Sequence, residues 1–71
     1  MRRDRLLREH LLERFVVTLD DGTTFVGLLH SVDENTVCMV DAAVMGAGTQ
    51  RTPVDGELYL DRFRIAFMQR P

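Results

Sequence analysis

From Phe15 to Leu19 the chain alternates, with Phe15, Val17 and Leu19 on one side and Val16 and Thr18 on the other. A period of two predicts a β-strand over 15–19. Asp21-Gly22 follows, and Asp-Gly between apolar runs is a hairpin signal because a tight primed turn needs residues that tolerate positive φ. A second strand is expected over 24–32, with Phe25, Gly27, Leu29 and Ser31 facing one way and Val26, Leu28, His30 and Val32 the other. Both sides are largely apolar, which suits a strand covered on both faces. Gly27 interrupts it where a side chain would otherwise pack, predicting a bulge, a sharp bend or a close backbone approach. Asp33-Glu34-Asn35-Thr36 is a polar turn whose Asp and Asn can bond their own backbone, and a third strand is expected over 37–41.

On either side of this block the pattern changes. Arg2 to Arg14 lacks Gly, Pro and β-branched residues, and Leu7 and Leu11 share one face with Leu6 and Leu12 flanking it, which predicts a helix over about 2–14. Gly46, Gly48, Pro53 and Gly56 argue against any continuous strand or helix over 42–56. That segment is expected to be a long loop, or a hairpin extending beyond the sheet. Ala42 to Met45 are apolar for a loop, so they either fold back on their own domain or are covered by a neighbouring subunit or partner protein. Two last strands are expected over 57–60 and 64–68, where Leu58 and Leu60 alternate with Tyr59, and Ile65 and Phe67 with Ala66 and Met68.

The central stretch also carries a motif. Leu19, Asp21, Gly22, Phe25, Gly27, Leu29, Val32 and Asp33 match L-x-D-G-x-x-F-x-G-x-L-x-x-V-D in order. This resembles the first signature of the Sm and Sm-like (LSm) proteins, including bacterial Hfq. Leu60-Asp61-Arg62-Phe63-Arg64-Ile65 has the spacing of the second signature, I-R-G-x-x-I, and keeps its apolar ends. The resemblance implies a single mainly β domain over 1–71: an N-terminal helix followed by a strongly bent five-stranded antiparallel sheet, a small open barrel with the helix across its open end. It also implies a ring of identical subunits, a hexamer or heptamer, in which the fourth strand of one copy pairs with the fifth strand of the next. Leu58, Tyr59, Leu60, Ile65, Ala66 and Phe67 are the interface candidates.

Size points to association independently of the family. A chain of 71 residues buries only about 60% of its unfolded surface. Its single Cys38 makes no internal disulfide, and no cluster of metal ligands is visible along the sequence, so association with other copies is the remaining support. Cys38 itself reads as a small buried side chain. No apolar run approaches the roughly 20 residues of a membrane span, and with one unpaired thiol the expectation is a soluble, cytoplasmic protein. The net charge of −2 is uneven: residues 1–8 carry +3, leaving −5 on residues 9–71. Electrostatic attraction for nucleic acid must therefore come mainly from Arg2, Arg3, Arg5 and Arg8, which a ring would repeat as a basic collar. The alternative is a solvated helix face.

Sm-like rings typically bind uridine-rich single-stranded RNA through a stacking side chain, an Asn reading the base edge and the Arg of the second signature. Here the stacking position is Asn35, the Asn position is Val37 and the Arg position is Asp61. Asp33 matches, in a role that holds the turn. Arg62, one residue along, can replace the missing Arg, and Asn35 keeps an amide able to read a base. Asp33, Asn35 and Arg62 are thus the pocket candidates. Nothing in the sequence supports catalysis: His10 and His30 are far apart, Ser31 has no nucleophile-elbow context, and Cys38 has no evident activating base. His10, His30 and Cys38 have no metal-ligand spacing, and no cofactor is expected. Two readings follow, a ring that binds single-stranded RNA and a ring without the uridine pocket that serves as a protein-interaction scaffold through 42–56.

Overall fold

The computed structural model describes residues 10–46, 48 and 50–71. Among the described residues six strands and one 3-10 turn follow one another: β1 (Arg14–Leu19), β2 (Thr24–Val32), β3 (Thr36–Met45), β4 (Arg51–Val54), β5 (Leu58–Asp61), the turn Arg62–Arg64, and β6 (Ile65–Gln69). All pairings are antiparallel. The sheet runs β4-β3-β2-β1-β6, with β5 also paired to β3.

The hairpin at Asp21-Gly22 forms, with Gly22 at φ +91° and the Asp21 carboxylate accepting from the Thr23 N–H at 2.9 Å. Of the alternatives expected at Gly27, the structure shows the close backbone approach. A Cβ there would lie 2.9 Å from both Cα and Cβ of Ala42, so the strands approach too closely for any side chain. The β2–β3 register shifts between Val26 and Leu28 and again between Leu29 and Ser31. Each shift is a bulge that bends the sheet. At the first the extra residue is on β3, where Asp41 adopts φ +50°. At the second it is on β2, which leaves His30 and Ser31 both exposed.

The helix expected over 2–14 falls for residues 2–9, with Arg2, Arg3, Arg5 and Arg8, outside the described residues. Over 10–14 the structure corrects it. His10 to Leu12 is a turn, Leu12 has φ +66°, and Arg14 already belongs to β1. The Leu12 N–H donates to the Leu29 carbonyl at 2.6 Å and the Leu29 N–H to the Glu13 carbonyl at 3.0 Å. Pairing with β2 outweighs a modest helix propensity.

The loop expected over 42–56 is corrected as well. β3 continues to Met45 and the chain returns as β4, with Ala42 opposite Val54 and Met45 opposite Arg51. Of the two forms expected for this segment it takes the hairpin. Ala42 is buried, and Pro53 is tolerated because β4 is an edge strand that need not donate on its outer side. Both β4 and β5 pair with β3, so they are one strand interrupted at Asp55–Glu57, opposite the Asp41 bulge. Counting the interrupted strand once recovers the expected five.

One core joins Phe15, Val17, Leu29, Val32, Val37, Met39, Ala42 and Leu60, with Leu19, Phe25, Val54, Leu58, Ile65 and Met68 packed against it. Burying Val17, Leu29, Val37 or Met39 completely contributes roughly 1.5–3 kcal/mol each. Among the described residues β5 pairs only with β3, and β6 only with β1. Each therefore has one edge of unpaired backbone groups.

Candidate functional site

Two short turns meet at one end of the sheet. In the first, Asp33 Oδ1 accepts from the Asn35 N–H at 2.8 Å and the Thr36 N–H at 2.7 Å. Those two backbone donors hold its carboxyl below the usual aspartate range, helped by the Arg62 guanidinium nearby. In the second, Asp61 Oδ1 accepts from the Phe63 N–H at 2.9 Å and caps the 3-10 turn. The turns are joined directly: the Arg62 N–H donates to the Asn35 carbonyl at 2.9 Å, and the Arg62 guanidinium donates to the Asp33 carbonyl. Asp33, Asn35 and Arg62, separated by up to 29 positions in sequence, are thereby brought together.

Between the turns lies an open cleft of about 440 Å³ lined by Asn35, Thr36, Tyr59, Leu60, Asp61 and Phe63. Phe63 projects into solvent with 78% of its surface exposed. An exposed aromatic face beside an amide is the combination that reads an unpaired base, one group stacking and the other bonding its edge. Phe63 has no place among the residues expected from the sequence. Its signal is an aromatic residue inside a polar turn, following the Asp61 cap and outside the period of two. Two other positions work against a uridine pocket of the family type. Val37 is fully buried in the core, and Asp61 places a carboxylate in the cleft.

The interface candidates divide by face. Leu60 is buried and Leu58 packs against the core, as alternation on β5 requires. On β6 the expected pairing of Ile65 with Phe67 on one side is corrected, because the register shift opposite Thr18 and Leu19 packs Ile65 and Met68 against the core and leaves Phe67 exposed. Tyr59, Ala66 and Phe67 point outward on the two strands with open edges, Tyr59 64% and Phe67 52% exposed. Several arginines of the body are already paired. Arg64 bonds Asp20 and Asp21 at 3.2 Å each, Arg70 bonds Glu13 at 3.2 Å, and Arg14 lies 3.7 Å from Asp41.

On the outer face of the sheet, folding collects residues whose spacing gave no sign of a ligand set. His30, Cys38 and Glu57 bring one nitrogen, one sulfur and one carboxylate oxygen within 4.8 Å of one another. His10 is not among them. It bonds Glu13, which keeps the Glu13 carboxyl below its usual range, and stacks edge-on against Phe15.

Neither a protein-family model nor a curated protein matches the sequence. Solved structures do. A heptameric archaeal Sm protein, whose structure was discussed for its implications for the eukaryotic snRNP core, superposes with a TM-score of 0.84 at 19% identity, over 94% of this chain and 97% of that one. The SmAP1 heptamer of P. aerophilum superposes with a TM-score of 0.83 at 20% identity, over 94% of this chain and 89% of that one. With its antiparallel bent sheet, Asp-Gly hairpin and Gly27 contact, the chain has the Sm-like fold.

Proposed function

We propose that this chain assembles head to tail into a ring of six or seven copies and that the ring binds single-stranded RNA, by recognition rather than catalysis. The observation that carries the reading is Phe63, an exposed aromatic side chain lining the same cleft as Asn35. Phe63 stacks on a base, Asn35 bonds its edge, and the Arg62–Asp33 bond keeps the two turns in register. Arg2, Arg3, Arg5 and Arg8 add phosphate contacts that do not read sequence. Assembly is supported by the open edges of β5 and β6 and by outward Tyr59, Ala66 and Phe67. It is supported too by the heptameric state of the two archaeal Sm proteins described above. An unpaired cysteine suits the reducing cytoplasm, where we place the protein.

The second reading, a ring that acts as a protein scaffold, is favoured by buried Val37, by Asp61 in the cleft and by the net −5 of residues 9–71. In that case the β3–β4 hairpin is the contact surface. Fluorescence anisotropy with oligo-U and oligo-A at two salt concentrations separates the two. RNA binding at low salt that weakens in Phe63→Ala supports the first, and no binding at low salt leaves the scaffold. Native mass spectrometry showing a monomer at micromolar concentration overturns both.

A further inference from the structure

We propose that His30, Cys38 and Glu57 form a binding site for a zinc-class divalent cation. The three come from separate segments: β2, β3 and the interruption before β5. Each is delivered by a particular backbone feature. The bulge between Leu29 and Ser31 leaves His30 exposed, out of the strict alternation of β2. Cys38 lies between Val37 and Met39, which face the core, so its thiol is on the opposite face and is nonetheless almost covered. Glu57 sits where the strand paired to β3 is interrupted, two residues before Tyr59, the partner of Cys38.

The donor set suits a borderline-soft metal. Thiolate, imidazole and carboxylate are the three side-chain types that zinc takes, at about 2.0–2.3 Å. Tetrahedral geometry at those lengths places ligand atoms about 3.5 Å apart. The observed limit of 4.8 Å closes by rotation of the exposed His30 and Glu57 side chains onto the less mobile thiol. The Tyr59 hydroxyl donates to Glu57 Oε2 and orients the carboxylate, the kind of outer partner that ligating carboxylates generally have. Three protein ligands leave a fourth position for water. On binding, the Cys38 thiol gives its proton to solvent and the metal takes the thiolate, so charge balances without a redox step. The bound ion would tie β2, β3 and the strand interruption together at the point where the ladder is broken, stabilising the fold by mass action.

The site is independent of the RNA reading and is tested on the whole chain with the metal alone. Titration with cobalt(II) is expected to give one equivalent per chain, with tetrahedral-type visible absorption and a thiolate-to-cobalt charge-transfer band that zinc abolishes. Cys38→Ser removes that band. His30→Gln and Glu57→Gln, both at exposed positions, retain the wild-type circular dichroism and bind cobalt at least about tenfold more weakly. His10→Gln binds as the wild type does. A pale octahedral spectrum without charge transfer overturns the proposal, as does unchanged affinity in both His30→Gln and Glu57→Gln.

Discussion

The β1–β3 half and the β5–β6 half of this molecule use the same alternation and reach opposite ends. In β1–β3 the apolar positions close on one another: Val17, Leu29, Val37 and Met39 have no exposed surface. In the β5–β6 half Leu58, Leu60 and Ile65 turn inward likewise, but Tyr59, Phe63 and Phe67 remain 64%, 78% and 52% exposed. Three large aromatic side chains in a 71-residue chain are a substantial apolar surface to leave in water. The backbone shows the same difference, since among the described residues β1, β2 and β3 are paired on both sides while β5 and β6 are each paired on one. The first half is stabilised from within the chain, whereas the second presents surface suited to a neighbour or a ligand.

Substitutions should separate the two halves. Leu29→Ala leaves a cavity in the closed half and is expected to cost about 2–5 kcal/mol, much of the stability of so small a domain, as read by urea denaturation. Gly27→Ala is expected to cost about 1–3 kcal/mol, because its Cβ would press on the Ala42 backbone and the strands must separate to admit it. Tyr59→Arg combined with Phe67→Arg should leave the chain folded by circular dichroism and shift its native mass from ring to monomer. If the double variant unfolds instead, the second half is core and the contrast fails.

Smaller effects sharpen the contrast further. The Asp33 carboxyl is held low by the Asn35 and Thr36 N–H groups, and that of Asp21 by the Thr23 N–H. A group with a depressed folded pKa contributes stability above its unfolded value and loses it as pH falls through the folded value. Denaturation midpoints should therefore decline below the ordinary aspartate range. Asp33→Asn keeps an acceptor for both N–H groups but should flatten that decline. Phe63→Ala should change stability by less than about 0.5 kcal/mol, since an exposed side chain packs on little. The same variant should weaken RNA binding by about 1–3 kcal/mol, the usual range for losing one stacked base.

The sequence alone determined the strands over 15–19 and 24–32, the Asp-Gly hairpin and the need for Gly27, because these rest on period two and on φ preferences that act within a few residues, whereas the bulges of β2 and β6 moved Val32 and Met68 to the core face against that period. It also carried the Asp33, Asn35 and Arg62 candidates, through a motif whose spacing reflects two turns meeting. Tertiary structure decided the rest. Only pairing with β3 showed that 42–45 and 51–54 are strands, since propensity at Gly46, Gly48 and Pro53 argued otherwise and apolar Ala42 needed a partner to declare itself. Only the bulge at His30 and the interruption at Glu57 brought those side chains to Cys38, and only the Asp61 cap left Phe63 facing water. Bulges and caps shift a chain by one residue against a distant partner, and no local pattern records where that partner will be.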